Sequence, residues 1–420
     1  MNRNELADDL ARAARQTVFI NAAHWFTHYG LLILPTAVLA ITLQDAPVFG
    51  EAYGPILALS TGMFVLYGML SLPMGWIAAR IGRRNLMLLF WFGTGFGMLA
   101  TGLVSSPLGM AVALAVTGAF SAIYHPIGTA MLVDAAGDKV GRAVGINGVF
   151  GNVGVASAPV ITAFVAALLG WEWAFVLPGA ACIIWGLFYL REPSGDVAAA
   201  RAAARPFPTI PPAIVRRAVI VLLLVAAVSG LVFNAFTILL PKLMQERLAS
   251  DPDLLKVVGL LAFGATVCGA VTQFTVGRKL DRLRIRKVFL PLSLVPAPAF
   301  FLLSFAEGWV VVALSGLLAA AIFGQVTVNE TMTARYIAPP LRTKLYSIRF
   351  FVGFGGAAAA APLIAWLHAS TGSLAASIIV LGVFALVTLG CGLAFPDRPE
   401  ELAPERWAEA APQRQPQAAE

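Results

Sequence analysis

The sequence predicts an all-α integral membrane protein with twelve transmembrane helices in two pseudo-symmetric six-helix bundles. Three observations predict it. Of the 420 residues, 59% are hydrophobic and only 12% are charged, against about a quarter charged in an ordinary soluble domain. The apolar residues gather into successive stretches long enough to cross a bilayer, which takes about 20 residues as a helix. The second half of the chain also echoes the first. Lipid offers the backbone no hydrogen-bond partner, so the spans must be helices. The roughly ten-residue alternating strands of an outer-membrane barrel are missing.

The twelve spans read as roughly 17–43, 53–79, 85–105, 107–134, 142–169, 171–191, 217–243, 255–280, 288–305, 308–336, 343–368 and 373–395. All but three of the 29 Lys and Arg residues fall on the side that holds both termini; Lys242, Arg247 and Lys256 are the exceptions. Positive charge collects in the cytoplasm, so both termini are expected there. The net charge of +7 is then an orientation signal, and no nucleic-acid partner is expected. Residues 1–16 are polar and charged, unlike a signal peptide. Cys182, Cys268 and Cys391 sit in apolar spans without disulfide or zinc-site spacing. The organisation predicted is a cytoplasmic N-terminal segment (1–16), a first bundle (17–191), a cytoplasmic linker (192–216), a second bundle (217–395) and a cytoplasmic tail (396–420).

The echo between halves is residue by residue. Gly75 opens "GWIAARIGRRN" after the second span, and Gly277 opens "GRKLDRLRIRK" after the eighth. His28 precedes Pro35 by seven residues, and Asn234 precedes Pro241 by seven, 206 positions later in both cases. Small-residue runs end at Pro159 in the fifth span and Pro362 in the eleventh. Weak internal repetition of this kind marks transporters built from two related bundles.

On these residues the chain resembles the major facilitator superfamily. Its loop motif is matched by Gly75, Arg80, Gly82, Arg83 and Arg84, with Ala79 where an acid is usual; the second copy keeps Gly277, Asp281 and Arg282. Asp281 is suited to pair with arginines and a helix end as a latch, whereas the first copy lacks that acid. A narrower resemblance, to the fosmidomycin-resistance branch, lies in His125-Pro126, in Gly151-Asn152-x-Gly154 and in Asn329-Glu330. It departs at Ala158-Pro159, where Gly-Pro is usual, and at His28, where that branch tends to place an acid.

Ionisable groups inside a membrane are functional candidates by default. With about 1.5 Å of rise per residue, His28, His24 and His125 fall about 3, 9 and 7 Å to the cytoplasmic side of their span midpoints, in one layer. Asn21, His24 and His28 follow i, i+3, i+7 spacing and share a helix face. Histidine titrates near physiological pH, so His24, His28, His125 and, on the tenth span, Glu330 are the proton-coupling candidates. The alternatives are hydrogen-bonding residues between helices, or chelation by the i, i+4 pair His24/His28; no Asp, Glu or Cys in those spans completes a metal set, and no metal is assigned. Glu330 is also a candidate gate partner for Arg335, Arg342 or Arg349.

Substrate-cavity candidates are Asn21, Trp25, Tyr29, Tyr124, Asn147, Asn152, Phe233, Asn234, Gln273, Gln325, Asn329 and Arg349. Breaks are expected at Pro126, which frees the Ala122 carbonyl, and at Pro35 and Pro241. Trp171 and Trp173 suit an interfacial belt. No nucleotide loop, nucleophile motif or metal set suggests an enzyme or a cofactor. The expectation is a monomeric multi-pass transporter of the bacterial inner membrane, and the fosmidomycin-resistance resemblance implies proton-coupled export of a small organic compound or drug by alternating access. The alternatives are proton-coupled uptake of an organic anion or metabolite, then metal transport or a non-transporting receptor.

Overall fold

The computed structural model describes residues 3–42, 49, 53–193, 200, 202–203, 210–248 and 258–396. Its regular elements are α1 (Arg3–Leu31), α2 (Ile33–Ile41), α3 (Tyr53–Ala58), α4 (Thr61–Leu70), α5 (Met74–Ile81), α6 (Arg83–Leu103), α7 (Pro107–Ser121), α8 (Tyr124–Ala136) and α9 (Val140–Leu169). They continue through α10 (Trp173–Tyr189), α11 (Pro212–Arg247), α12 (Val258–Leu280), α13 (Ile285–Leu294), α14 (Pro296–Leu303), α15 (Trp309–Tyr336), α16 (Pro339–Thr371) and α17 (Leu374–Ala394). Most of the predicted linker, the tail beyond 396 and Lys256 lie outside the described residues.

Prolines set where several helices break. A proline has no N–H, and its ring crowds the carbonyl four residues back. For Pro35 that carbonyl belongs to Leu31, the last residue of α1, and α2 resumes after Leu32. For Pro126 it belongs to Ala122, where α7 gives way to α8, as expected. Pro73 stands between α4 and α5, which meet at a 67° bend. The break expected at Pro241 does not form: α11 runs unbroken to Arg247. Membrane helices tolerate such a proline where neighbouring groups re-satisfy the freed carbonyl.

The protein is thus all-α and multi-pass. Among the described residues, eight helices are long and apolar enough to cross a membrane, or nine if the bent pair Pro55–Leu70 and Met74–Ile81 is one span. Several of the twelve predicted spans differ for visible reasons. The first is interrupted at Leu32, the second is the bent pair, and the sixth is the 17-residue α10.

The core divides along the chain. One cluster is built almost wholly from α1–α10, including Phe90, Trp91 and Tyr124, and receives Tyr346 and Phe350 from α16. Two others lie within α11–α17. Equivalent contacts recur in the two parts. Arg84 donates to the carbonyls of Leu190 and Glu192 after α10, and Arg286 donates to those of Leu393 and Phe395 at the end of α17. Trp171 corrects one expectation: it is buried against Phe49 and Phe175, while Trp173 is exposed as a belt residue would be.

The parts meet where α9 crosses α12 and where α16 packs on α5 and α8. Both crossings use the glycines of the loop motif. A Cβ on Gly277 would lie 2.3 Å from the Gly141 carbonyl oxygen, and one on Gly75 would lie 2.7 Å from the Lys344 Cα. No side chain fits in either place.

Candidate functional site

The break between α7 and α8 delivers His125 to the face of α1 that carries His24 and His28. The three rings gather as the spacing and depth predicted. His24 Nδ1 lies 2.7 Å from the Asn147 carbonyl and must donate to it, since a carbonyl only accepts. Its Nε2 therefore carries a lone pair, and His28 Nε2–H donates to it across 3.1 Å. The His125 ring centre lies 5.2 Å from that of His24 and 5.3 Å from that of His28. Its Nε2 is buried with no hydrogen-bond partner among the described residues. On its other side His125 faces Phe350 and Phe354 of α16, so the trio sits at the seam between the two parts of the chain.

A polar network holds the trio's outer side. Asn147 Nδ2 donates to Asn21 Oδ1 at 2.8 Å and to Tyr124 Oη at 2.9 Å. Tyr124 also stacks on His24, with ring centres 4.9 Å apart. Trp25 stacks on Tyr29 and donates to Ser157. Three of the predicted cavity residues (Asn21, Tyr124 and Asn147) thus join the histidines in one network, while Trp25 and Tyr29 pair with each other.

Across the seam lies a second charged centre. Arg349 Nη1 donates to Glu330 Oε1 at 2.7 Å, with both side chains at least nine-tenths buried. Of the three arginines considered for Glu330, the structure selects Arg349. Its guanidinium also lies over the Phe350 ring, 4.6 Å from the centre. Glu330 Oε2, Arg349 Nε and Asn329 Oδ1 are buried with no hydrogen-bond partner among the described residues. Phe350 is therefore common ground: one residue flanks both the histidines and the ion pair.

Other predicted cavity residues are committed elsewhere. Gln325 donates to the Leu292 carbonyl at 2.9 Å, the carbonyl that Pro296 leaves without its helical partner. Asn234 donates to the Gly230 carbonyl of its own helix, and Phe233 packs on Phe323. Asn152 and Gln273 meet each other, 2.6 Å apart, joining α9 to α12.

The loop motifs join elements of the two parts of the chain. Asp281 accepts from the N–H groups of Gly141 (2.7 Å) and Arg142 (3.0 Å) at the start of α9, where a carboxylate favours the helix dipole. Gly82 ends α5 at φ 81°, a conformation other residues rarely adopt. The first copy is not short of an acid after all. Arg83 donates to Asp134 at 2.7 Å, and Arg342 of α16 donates to the other oxygen of the same carboxylate at 2.9 Å. Arg80 and Arg282 are exposed.

Residues 17–267, more than half of the chain, match the Major Facilitator Superfamily. The chain belongs to that superfamily. Solved members share its fold: the Escherichia coli fucose:proton symporter (14% identity, 88% of this chain and 97% of that one, TM-score 0.65) and the human organic anion transporter MFSD10 (17%, 91% and 99%, 0.68). A proton:xylose symporter is likewise similar (13%, 92% and 96%, TM-score 0.71). A curated relative, a D-galactonate transporter of Escherichia coli, is 27% identical over 127 residues. That match spans 30% of this chain and 30% of the relative's own length.

In this superfamily member the residue that sequence reasoning missed is Asp134. A signal existed: it is an acid in the last turn of a helix, where the dipole disfavours negative charge, so a cationic partner had to be near.

Proposed function

We propose that this protein is a secondary active transporter that couples proton entry to uptake of an organic anion, a sugar acid being the substrate class favoured. The observation that carries the reading is the buried Glu330–Arg349 pair with an unused polar atom on each partner. A buried carboxylate left alone is costly, and so is a buried guanidinium. Protonation of Glu330 releases Arg349 from its partner, and the freed guanidinium is a fork shaped for a substrate carboxylate. Proton and anion then enter together with no net change in buried charge. Asn329, with its free Oδ1, is placed to accept from substrate hydroxyls.

The relatives support uptake over export. One is named for D-galactonate, a carboxylate, one for organic anions, and two as proton symporters of sugars. Export of a drug-like compound, the reading favoured by the fosmidomycin-resistance resemblance, is the second possibility and draws its support from His125-Pro126 and the Gly151–Gly154 run.

In this reading the chain works as a monomer in a bacterial inner membrane with both termini inside. Residues 17–191 and 217–395 act as two six-helix bundles joined by the linker 192–216, rocking about the seam that the trio and the ion pair flank. The segregated cores and the paired arginine contacts support that division. The latches at Asp134 and Asp281 then close one face in one state and release it in the other.

Proteoliposomes holding the full chain test this. With an acidic exterior, labelled D-galactonate is expected to accumulate and a protonophore to abolish the accumulation. No gradient-driven uptake of D-galactonate or of other sugar acids rejects the substrate class. Efflux of preloaded drug driven by the same gradient favours the export reading.

A further inference from the structure

The geometry points to the His24–His28–His125 trio as a binding site for a divalent transition-metal ion of the zinc class. One ring nitrogen from each histidine lies within 4.8 Å of the other two. A tetrahedral ion with nitrogen ligands at about 2.0–2.1 Å sets those nitrogens about 3.3 Å apart. His24 Nε2 and His28 Nε2 are already 3.1 Å apart, which is the spacing such an ion requires of two ligands on successive turns.

Each ring is prepared differently. The Asn147 carbonyl takes the Nδ1 proton of His24, which leaves Nε2 as the lone-pair atom and fixes the ring's orientation. That arrangement is the usual support of a metal-binding histidine. His28 needs only to move its proton from Nε2 to Nδ1, a change of tautomer without change of charge. His125 supplies a buried Nε2 that has no hydrogen-bond partner among the described residues. A polar atom in that position is costly unless something meets it, and an ion bridging to His24 and His28 would do so.

The donor set also limits the ion. Three imidazoles without carboxylate or thiolate suit Zn2+, Co2+, Ni2+ or Cu2+, and disfavour Mg2+ and Ca2+. The set leaves one coordination position for water or a ligand from the transport path. Because α1 and α8 both contribute, an ion would tie them together directly behind Phe350 and Phe354 of α16. The site therefore lies where it can report on, or restrain, movement at the seam.

The inference does not depend on the transport reading, since its test measures binding. Full-length protein purified without a histidine tag is titrated with Co2+, whose tetrahedral complexes absorb visible light strongly, and with Zn2+ by equilibrium dialysis. One Co2+ per chain with a tetrahedral spectrum is expected, displaced by Zn2+ and not by Mg2+. His125→Asn and His28→Gln are each expected to weaken binding on the order of tenfold or more and to alter the spectrum. His368→Ala, which removes the exposed histidine at the end of α16, is expected to change neither. No stoichiometric Co2+ or Zn2+ binding by the unaltered chain overturns the proposal, whatever the variants do. So does binding that the His28→Gln and His125→Asn proteins retain in full.

Discussion

Arg349 on α16 donates a 2.7 Å hydrogen bond to Glu330 on α15, and beside that bond each residue keeps a buried polar atom with no partner among the described residues. An ion pair serving only to join two helices would be expected to use its remaining donors and acceptors nearby. This pair is half-satisfied, as a pair that must open would be. Tyr346 reinforces the point, since its hydroxyl donates to the Glu330 backbone carbonyl and not to the carboxylate Oε2.

If Glu330 carries the coupled proton, Glu330→Gln fixes the site in a proton-loaded form. Accumulation of substrate against its gradient should fall at least tenfold. Exchange of external labelled for internal unlabelled substrate needs no net proton movement and should persist, with little dependence on pH. Loss of exchange and accumulation together, in protein that remains folded, would assign Glu330 to substrate binding alone.

The same pair predicts an asymmetric effect on stability. Arg349→Ala leaves Glu330 buried without its cation, and breaking a buried pair in this way costs about 3–5 kcal/mol. Adding Glu330→Gln removes the orphaned charge and should restore much of the loss. Thermal unfolding in detergent checks this: the double variant should melt above Arg349→Ala alone. Equal melting of the two would mean that the carboxylate is already neutral or solvated in the folded protein.

How much of this was legible in the sequence depended on whether the relevant signal was local. The gathering of His24, His28 and His125 followed from helical spacing and depth, because His24 and His28 share one face of α1 and His125 lies at a similar depth on the neighbouring α8. The break at Ala122 followed from one proline. The partner of Glu330 did not follow, since only the packing of α15 on α16 selects Arg349 over Arg335 and Arg342. Gln325 misled for the same reason: its role depends on Pro296, 29 positions away in sequence and on another helix. Hydropathy alone counts α1 and α2 as one span; the break between them was legible in Pro35, whose ring crowds the Leu31 carbonyl.

Asp134 yields a prediction from the residue that sequence reasoning passed over. Its two oxygens hold Arg83 and Arg342, which come from the two halves of the chain. Arg342 also donates to the Ala334 and Ile337 carbonyls, so the carboxylate steadies the turn that starts α16. Asp134→Asn keeps the shape and removes the charge. Amide hydrogen exchange across residues 339–347 should then speed up several-fold while exchange in α6 changes less, because Arg83 is held from within its own part of the core. Unchanged exchange at the start of α16 would show that the remaining carbonyl bonds suffice and that Asp134 is no latch.

The crossing of α9 and α12 offers the sharpest test of the seam. A methyl group on Gly277 would lie 2.3 Å from the Gly141 carbonyl oxygen, and backbone on both sides leaves no flexible side chain to yield. Gly277→Ala must therefore push the helices apart, also drawing Asp281 from the N–H groups it holds at 2.7 and 3.0 Å. Overpacking of this kind costs about 1–3 kcal/mol. Gly355→Ala is the control: among the described residues nothing beyond its own stretch of helix lies within 4 Å of the added methyl, and alanine is favoured over glycine within a helix by about 1 kcal/mol. The first variant should melt lower than the unaltered protein and transport more slowly, and the second should melt at or above it. Equal melting of the two would mean that the parts do not close on each other through these glycines, and the assignment of this crossing as the contact surface for rocking would fall with it.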